Sequence, residues 1–460
     1  MSHYQLIVIG AGPGGYMAAL HAAKNGLKTA VIESREAGGT CLNRGCIPTK
    51  TLLHSSEIYT NAKNGSHAGI NTADVSADIP AIFAYKQEIS SKLSAGIEGL
   101  FKKAKVALVR GMGTITAPGC VEVTDTDGAK STYTADNILI ATGSVPAMPP
   151  IPGLDLAGVM NSDTLLEGAD HLYESIVIVG GGVIGVEFAT FYSELGCKVT
   201  IIEGLDRLLP ALDRELGQNL ALILKKQGVS IYTGAMVKQV RQGESGLEVD
   251  FTVKDTENTV SGEVVLCAIG RKPNTAGLFA EGVRVDMNGR SIAVDEKYRT
   301  SLPGVYAIGD VSSKIQLAHV ATAQGIACVD GICGNVNSVN MSVVPSCIYC
   351  RPEIASVGIS EAEAKEASIN IKVGKCVMHG NARTLIADAG RSFMKVVADA
   401  DSKAIIGAQL MCTNSTDMIS QLAEAIANRM TPAQLLLAMR PHPTFEEALT
   451  EALEDLQTKL

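Results

Sequence analysis

Two cysteines near the N-terminus, Cys41 and Cys46, have the residue type and spacing needed for disulfide redox chemistry. In an ideal helix their Cα atoms would lie roughly 8–9 Å apart, which is beyond normal disulfide reach. A bridge between them therefore needs a distorted turn, and Gly45 supplies the backbone freedom for one. Because such a bridge closes a very short loop, it adds little stability, and we interpret the pair as a redox device.

The alternative interpretation of this pair is two unrelated buried thiols. The remaining cysteines show no comparable neighbourhood, which favours the redox interpretation. Cys347 and Cys350 have the spacing of a metal or redox site, but no second ligand pair accompanies them. We expect inert core thiols there and no metal ion.

The segment 4–35, which ends just before the cysteines, is typical of a βαβ unit that binds a dinucleotide. An apolar strand, Leu6–Ile9, enters a glycine-rich turn, and a helix, Met17–Lys24, and a second strand, Thr29–Ile32, follow. The glycines of the turn are Gly10, Gly12, Gly14 and Gly15. Such glycines allow a tight turn, close approach to a pyrophosphate and close packing of helix on strand. We expect Glu33, after the second strand, to accept hydrogen bonds from a ribose.

The segment 175–203 repeats this pattern. Strand Ile176–Val179 is followed by a glycine-rich turn, a helix ending at Leu195 and a strand Lys198–Ile202 that leads to Glu203. The glycines of this second turn are Gly180, Gly182 and Gly185. A single glycine motif is weak evidence, but two complete units strongly favour two dinucleotide sites.

The rest of the chain suggests further divisions. The proline-rich stretch Val145–Gly153 is typical of a stiff connector. Strand Asn137–Ile140 precedes a small-residue turn, Ala141–Ser144, and strand Val264–Ile269 precedes the turn Gly270–Asn274. After residue 336 the phosphate-binding glycines cease, and strands such as Phe393–Val397 and Ile405–Met411 indicate an α+β domain.

Composition limits the partners. The chain has 460 residues, which suggests about three domains. Its net charge of −9 and pI near 5.5 argue against a nucleic-acid or membrane-surface partner. The longest uncharged apolar stretch, Ile176–Val186, is too short to span a bilayer. The irregular spacing of the cysteines in the chain and the missing signal peptide predict a cytoplasmic protein with mostly reduced thiols.

At this point the motifs resemble a known family. Cys41–Lys50 resembles the redox motif of the pyridine nucleotide–disulfide oxidoreductases, and the resemblance extends along the whole chain. The first glycine unit resembles the family's FAD site and the second its NAD(P) site. Tyr306–Asp310 is similar to the second flavin motif, Leu317–His319 to the segment beneath the flavin ring, and His442–Glu447 to the C-terminal catalytic motif.

The resemblance implies an α/β fold with two Rossmann-like dinucleotide-binding domains, for FAD and NAD, and a C-terminal α+β dimerisation domain. We place the first part of the FAD domain at 1–145, the NAD domain at 146–272, the second part of the FAD domain at 273–335 and the dimerisation domain at 336–460. It also implies cofactor-binding roles for Gly10, Gly12, Gly14, Gly15, Glu33, Thr40, Lys50, Gly113, Ala141, Thr142, Gly143, Gly180, Gly182, Gly185, Glu203, Ala268, Gly270, Gly309, Asp310 and Ala318.

The implied catalytic roles are specific. Cys41 faces the substrate and Cys46 the flavin, while His442 is a base oriented by Glu447. Lys50 and Glu187 form a pair near the flavin. His319 fits a structural or a catalytic role equally well. Two residues depart from the family pattern: Arg44 where an apolar residue is common, and Arg440 where a second histidine is common.

The resemblance implies oxidation of protein-bound dihydrolipoamide to lipoamide with NAD+ as acceptor. Glu203 supports this branch, because a carboxylate there suits the free 2′-hydroxyl of NAD and repels the 2′-phosphate of NADP. The alternative is an NADPH-dependent reductase of the glutathione type. The expected partners are a second copy of the chain and the lipoyl-bearing subunit of a 2-oxoacid dehydrogenase or glycine cleavage complex.

Overall fold

A computed structural model describes residues 2–244, 246–336 and 339–460 of the chain. Its N-terminal elements are β1 Ser2–Ile9, α1 Pro13–Lys24, β2 Thr29–Glu33, α2 Gly39–Asn43, α3 Cys46–Asn64, α4 Ile79–Ala104, β3 Ala107–Arg110, β4 Met112–Ala117, β5 Cys120–Thr124, β6 Lys130–Ile140 and β7 Ser144–Pro146. Strands β3-β2-β1-β6-β5-β4 form one sheet in this order. Its centre is parallel, with Leu6 of β1 paired with Thr29 and Asn137. The first glycine turn therefore lies at the carboxyl end of the central strand.

The second region repeats this core. Its elements are β8 Val159–Asn161, α5 Ser162–Leu165, β9 Ser175–Val179, α6 Val183–Leu195, β10 Lys198–Glu203, α7 Arg214–Lys226, β11 Ser230–Thr233, β12 Ala235–Gln242, β13 Leu247–Val253, β14 Thr256–Gly262, β15 Val264–Cys267 and β16 Arg271–Pro273. A parallel sheet has the order β11-β10-β9-β15-β8, and β12-β13-β14 form a separate antiparallel sheet. The burial of β9 from Ile176 to Val179 explains its apolar sequence there.

Two stretches expected to be turn and connector contain strands instead. Ser144–Pro146 and Arg271–Pro273 pair antiparallel as β7 and β16. The pairing is possible because a two-stranded ribbon has only edge strands, where proline is tolerated. Arg271 also donates from Nε to the Ser144 hydroxyl at 2.8 Å. The ribbon therefore connects the first region of the chain to the second.

The chain then returns to the first sheet. The elements of this return are β17 Met287–Asn288, β18 Ser291–Ile292, β19 Val305–Ala307 and α8 Ala318–Cys333. Strand β19 pairs parallel with β6, and α8 packs against α1.

The C-terminal region is an antiparallel sheet covered by helices. Its elements are β20 Ser346–Ile348, β21 Ile354–Gly358, α9 Glu361–Glu366, β22 Ile371–Val377, α10 Ala382–Ile386, β23 Phe393–Asp399, β24 Ile405–Met411, α11 Ser415–Ala427, α12 Pro432–Leu435 and α13 Glu447–Lys459. The strand order is β20-β21-β24-β23-β22, and α11 and α13 bury their apolar faces on it. Short 3₁₀ turns lie at Gly65–Ala68, Gly309–Val311 and Met378–Gly380. Over the described part of the chain, no helix combines the length and apolarity needed to cross a membrane.

Candidate active site

One large cavity, of about 1450 Å³, passes along both glycine-rich turns and both cysteines. The first unit contributes Gly12 and Glu33, and the second contributes Gly182 and Glu203. Cys41 and Cys46 line the same cavity. One cavity therefore contains the cysteine pair and both potential nucleotide sites.

The first glycine turn has the shape that a pyrophosphate needs. Gly10 has a φ of +103°, and a Cβ there would lie 2.4 Å from the Ala141 carbonyl oxygen. A Cβ on Gly15 would lie 1.9 Å from the Gly10 oxygen, whereas one on Gly12 would meet no protein atom. The open space beside Gly12, at the N-terminus of α1, fits the phosphates of FAD.

The second turn has nearly the same geometry. Gly180 has a φ of +116° and faces the Ala268 oxygen, with 2.5 Å to a built Cβ. Gly185 packs on Gly180 as Gly15 does on Gly10, and Gly182 again faces open space. These residues fit the pyrophosphate of NAD.

Glu33 and Glu203 brace the glycine turns. One carboxylate oxygen of Glu33 accepts the Ala11 N–H at 2.7 Å, and the other accepts the Arg35 N–H at 2.7 Å. Glu203 accepts the N–H of Gly181 at 2.6 Å and that of Leu205 at 2.7 Å. Each oxygen retains a second lone pair for a ribose hydroxyl. The sequence predicted the ribose role but not this brace.

The cysteine pair lies at a break between two helices. Cys41 is in α2 and Cys46 begins α3, while Gly45 between them has a φ of −158° and a ψ of −109°. Both cysteines are free thiols in this structure. The interaction with Cys46, together with burial, raises the pKa of Cys41. The same interaction, aided by the nearby Lys50 ammonium, lowers the pKa of Cys46 to about 7. Within the pair, the Lys50 cation on the next turn of α3 therefore favours the thiolate on Cys46.

A buried ion pair lies next to Cys46. The Lys50 Nζ donates to both oxygens of Glu187, at 2.9 and 2.8 Å. Burial alone would lower the pKa of Lys50, but the Glu187 carboxylate outweighs it and the pKa is raised. Lys50 therefore stays a cation next to the Cys46 sulfur. The structure brings this predicted pair together across α3 and α6.

The cavity lining also contains a chain of polar side chains that the sequence did not predict. The Ser144 hydroxyl donates to Asp310 at 2.6 Å, and Arg271 donates to that hydroxyl in turn. Burial raises the pKa of Asp310. Arg271 also faces Asp163 at 3.7 Å. The chain joins Asp310, a predicted flavin residue, to the second nucleotide-binding region.

Other predicted cofactor residues lie as follows. Those that line the cavity are Gly14, Thr40, Gly113, Ala141, Thr142, Gly143, Ala268, Gly270, Gly309 and Ala318. Gly15 and Gly185 lie behind the turns, in the helix-on-strand packing expected of the third glycine. His319 lines the cavity, and its Nε2 is 2.9 Å from the Pro345 oxygen. Burial lowers the pKa of His319.

The predicted base lies away from this cavity within one chain. The His442 Nδ1 is 2.7 Å from a Glu447 oxygen, and the other oxygen accepts the Thr444 N–H at 2.9 Å. These two bonds lower the pKa of Glu447. The His442 side chain is 74% exposed, and neither residue lines the cavity that contains the cysteines.

Two residues beside the cavity, Cys347 and Tyr349, differ from the expectations of the sequence. Cys350 is fully buried, as expected of a core thiol, but Cys347 lines the cavity. Tyr349, which had no assigned role, donates its N–H to Glu187 at 3.0 Å. No local spacing predicts this contact, because the two residues are 162 positions apart.

Arg44 and Arg440, the two residues that depart from the family pattern, each contact nearby side chains. Arg44 pairs with Glu36 at 2.6 Å. Arg440 donates to the Thr450 hydroxyl at 3.3 Å and to the Gln421 side-chain oxygen at 3.4 Å.

Known proteins match this chain over nearly its whole length. The family model described as pyridine nucleotide-disulphide oxidoreductase matches residues 4–325, and that of the family's dimerisation domain matches 344–453. A dihydrolipoyl dehydrogenase of Bacillus subtilis is 39% identical over 98% of this chain and 97% of its own. Dihydrolipoyl dehydrogenase 3 of Pseudomonas aeruginosa is 38% identical over 99% of this chain and 98% of its own.

Solved structures agree. LpdA from Mycobacterium tuberculosis superposes with a TM-score of 0.90 at 29% identity, over 99% of both chains. The HOCl-induced flavoprotein disulfide reductase RclA from Escherichia coli, as a Cu(II) complex, superposes with a TM-score of 0.88 at 27% identity, over 99% of both chains.

The chain belongs to the pyridine nucleotide–disulfide oxidoreductase family. Its fold class is confirmed, with two Rossmann-like domains followed by the family's dimerisation domain. Its cofactors are FAD and NAD. Eight relatives at 36–39% identity are named dihydrolipoyl dehydrogenase, and they indicate the branch of the family.

Proposed function

We propose that the protein oxidises protein-bound dihydrolipoamide to lipoamide through a Cys41–Cys46 disulfide, with NAD+ as the final acceptor. The observation that carries the proposal is the thiol pair itself. The pair lines the same cavity as both glycine turns, and its internal interaction and the nearby Lys50 ammonium both lower the pKa of Cys46. Bound FAD supplies two-electron transfer between Cys46 and the nicotinamide.

Two exchange steps balance the electrons. A substrate thiolate attacks the Cys41 sulfur, which breaks the Cys41–Cys46 bond and leaves Cys46 as a thiolate. The second substrate thiolate then attacks the sulfur joined to Cys41 and releases Cys41. The substrate loses two electrons and the cysteine pair gains them. Lys50 stabilises the negative sulfur of Cys46 after the first step.

We propose that His442 accepts the protons of the substrate's thiols. Its Nδ1 faces the Glu447 carboxylate, which leaves Nε2 free to accept a proton and stabilises the cation that results. Because His442 lies outside the cysteine cavity of its own chain, we propose that it serves the disulfide of a second subunit. The dimerisation domain supports this assignment.

The choice of nicotinamide follows from Glu203. Its carboxylate is held by two backbone amides at the cavity wall, where a 2′-phosphate would meet a fixed negative charge. The nearby Arg207 is already engaged by Asp206 and the Pro210 oxygen. The NADPH-dependent glutathione-type reductase is therefore the weaker alternative.

The substrate partner belongs to this proposal as well. A lipoyl group on a subunit of a 2-oxoacid dehydrogenase or glycine cleavage complex matches the chemistry of the cysteine pair. A cytoplasmic location fits the cysteine pattern of the sequence.

Turnover with paired substrates tests the proposal. Purified holoenzyme should reduce lipoamide with NADH and show little activity with NADPH and glutathione disulfide. Preference for the second pair would refute the lipoyl assignment, and activity with neither pair would refute both.

Mixed dimers test the role of His442. A His442→Gln subunit and a Cys46→Ser subunit, each inactive alone, should together regain about half the activity of a native dimer, because one of the two sites is then complete. No recovery in hybrids purified with two different tags would show that His442 acts within its own chain or not at all.

A further inference from the structure

Helix α6 presents two buried carboxylates to the same neighbours. Glu187 and Glu194 lie seven residues apart, hence about two helical turns apart on one face. Each side chain is 4% exposed. A carboxylate this buried must be paired, because an isolated charge in the interior is costly. Each of the two is paired by α3 on one side and by the C-terminal domain on the other.

At the first carboxylate the partners are Lys50 and Tyr349. Lys50, from α3, donates to both Glu187 oxygens, and the Tyr349 N–H donates to one of them at 3.0 Å. The Lys50 Nζ also lies 4.7 Å from the centre of the Tyr349 ring. A cation over an aromatic face is attracted to it. Tyr349 therefore contacts both members of the ion pair next to Cys46.

At the second carboxylate the partners are Ser56 and Arg351. The Ser56 hydroxyl, from α3, donates to Glu194 at 2.6 Å, and the Arg351 Nε donates to its other oxygen at 2.6 Å. Arg351 also reaches Glu57 of α3 at 3.2 Å. One short segment, Tyr349–Arg351, therefore contacts α3 and α6 at two levels.

We propose that the segment Tyr349–Arg351 positions the Lys50 ammonium beside Cys46 by fastening α3 and α6 to the C-terminal domain at two points. Cys46 is the first residue of α3 and Lys50 lies one turn later, so the spacing between α3 and α6 sets where Lys50 rests. The inference rests on the proposed role of Cys46 as the thiolate. Tyr349 and Arg351 are positioning residues and touch no reacting atom.

Charged and titratable groups around Cys46 define the expected change. Cys41 and Lys50 favour its thiolate, whereas Glu187 opposes it. If Lys50 is less firmly held, the loss of its field raises the pKa of Cys46. Tyr349→Leu removes the ring, and Arg351→Met removes the guanidinium but keeps most of the aliphatic stem.

The test measures the Cys46 thiolate directly. Holoenzyme reduced with dithiothreitol is treated briefly with iodoacetamide across a pH series, and the Cys46 peptide is quantified by mass spectrometry. The wild-type midpoint is expected at about 7. Each variant should raise it by about half a unit and the double variant by about one unit. Tyr349→Phe, which keeps the ring, and Arg351→Lys, which keeps the positive charge, should have midpoints close to that of the wild type.

Three further variants make the result specific. Lys50→Met gives the shift caused by complete loss of the ammonium. Arg299→Met removes an exposed ion pair with Asp295 and should leave the midpoint unchanged. Lys395→Met breaks a buried contact between the C-terminal domain and Asp213, and should lower the melting temperature without moving the midpoint.

The outcomes separate the inference from the proposed function. If Lys50→Met raises the midpoint but the folded Tyr349 and Arg351 variants do not, the positioning inference is overturned. An equal shift in Lys395→Met would also overturn it, because general loosening of the domains would then suffice. A wild-type midpoint near that of an ordinary thiol would overturn the role of Cys46 and the inference together.

Discussion

The two glycine-rich units share a backbone but differ in what surrounds them. In both units, a Cβ built on the third glycine would lie 1.9 Å from the carbonyl oxygen of the first glycine. In both, a glutamate also accepts hydrogen bonds from the backbone of the turn. The start of helix α1 is covered, because Gly14 lies against the Ala321 backbone of α8. The start of α6 is open, and Val183 there is 40% exposed.

The surroundings of the turn explain how one motif serves two kinds of ligand. A covered site suits a group that remains bound, and an open one suits a substrate that exchanges at each turnover. The backbone of the turn fixes what is bound, a pyrophosphate, while the neighbouring elements govern how long it stays. We therefore expect matched changes in the two units to have different consequences.

The largest contrast should come from Gly12→Ala and Gly182→Ala. Both glycines have φ values that any residue adopts, and a Cβ on either meets no protein atom, so both variants should fold. The added methyl group occupies the space of the phosphates. Gly12→Ala should lose FAD affinity about tenfold or more, whereas Gly182→Ala should keep FAD and raise the KM for NAD+ about tenfold.

Flavin absorbance per mole of protein and steady-state kinetics measure these effects. Gly99→Ala, in helix α4 away from the cavity, is the matched control and should change neither quantity, because a Cβ there also meets no protein atom. Loss of flavin from the Gly182 variant would contradict the assignment of the two units.

The next contrast is between Glu203→Gln and Glu33→Gln. Both changes weaken a brace made of two backbone hydrogen bonds, so both should lower the free energy of unfolding, by about 1–3 kcal/mol. Only Glu203→Gln should reduce the preference for NADH over NADPH, by about tenfold, because the repulsion of the 2′-phosphate is lost. A changed preference for NADH over NADPH in the Glu33 variant would contradict the assignment of the nicotinamide site to the second unit.

The smallest contrast concerns the covered helix start. Gly14→Ala places a Cβ 2.9 Å from the Ala321 oxygen, and such overpacking costs about 1–3 kcal/mol. Ile184, at the corresponding position in α6, is half-buried, and Ile184→Ala should cost about 1 kcal/mol. Urea unfolding of the holoenzymes measures both. A Gly14→Ala variant as stable as the wild type would mean that α8 does not tighten the first site.

Much of this architecture could be predicted because its signals are local. The glycine spacings, the flanking strands and the terminal glutamates all fall within about thirty residues, the length of a βαβ unit. The break at Gly45 also followed from the spacing of Cys41 and Cys46. The strands and helices that hold each motif could therefore be predicted from the sequence around it.

The contacts between domains could not be predicted in the same way. Tyr349 reaches Glu187, Arg271 reaches Ser144, and Gly14 meets α8, each across more than a hundred residues. Such pairs depend on how the domains pack against one another, and this packing leaves no periodic pattern in the sequence. The strands at Ser144–Pro146 and Arg271–Pro273 were missed for this reason, since each exists only through the other. The catalytic and cofactor roles of individual residues stay predictions.

A reductive titration of the holoenzyme with dithionite tests the central claim, that Cys41 and Cys46 form a redox pair coupled to the flavin. The oxidised wild type should take up about four electrons per subunit, two for FAD and two for the disulfide, and Cys46→Ser should take up about two. Uptake of only two electrons by the wild type would contradict the account.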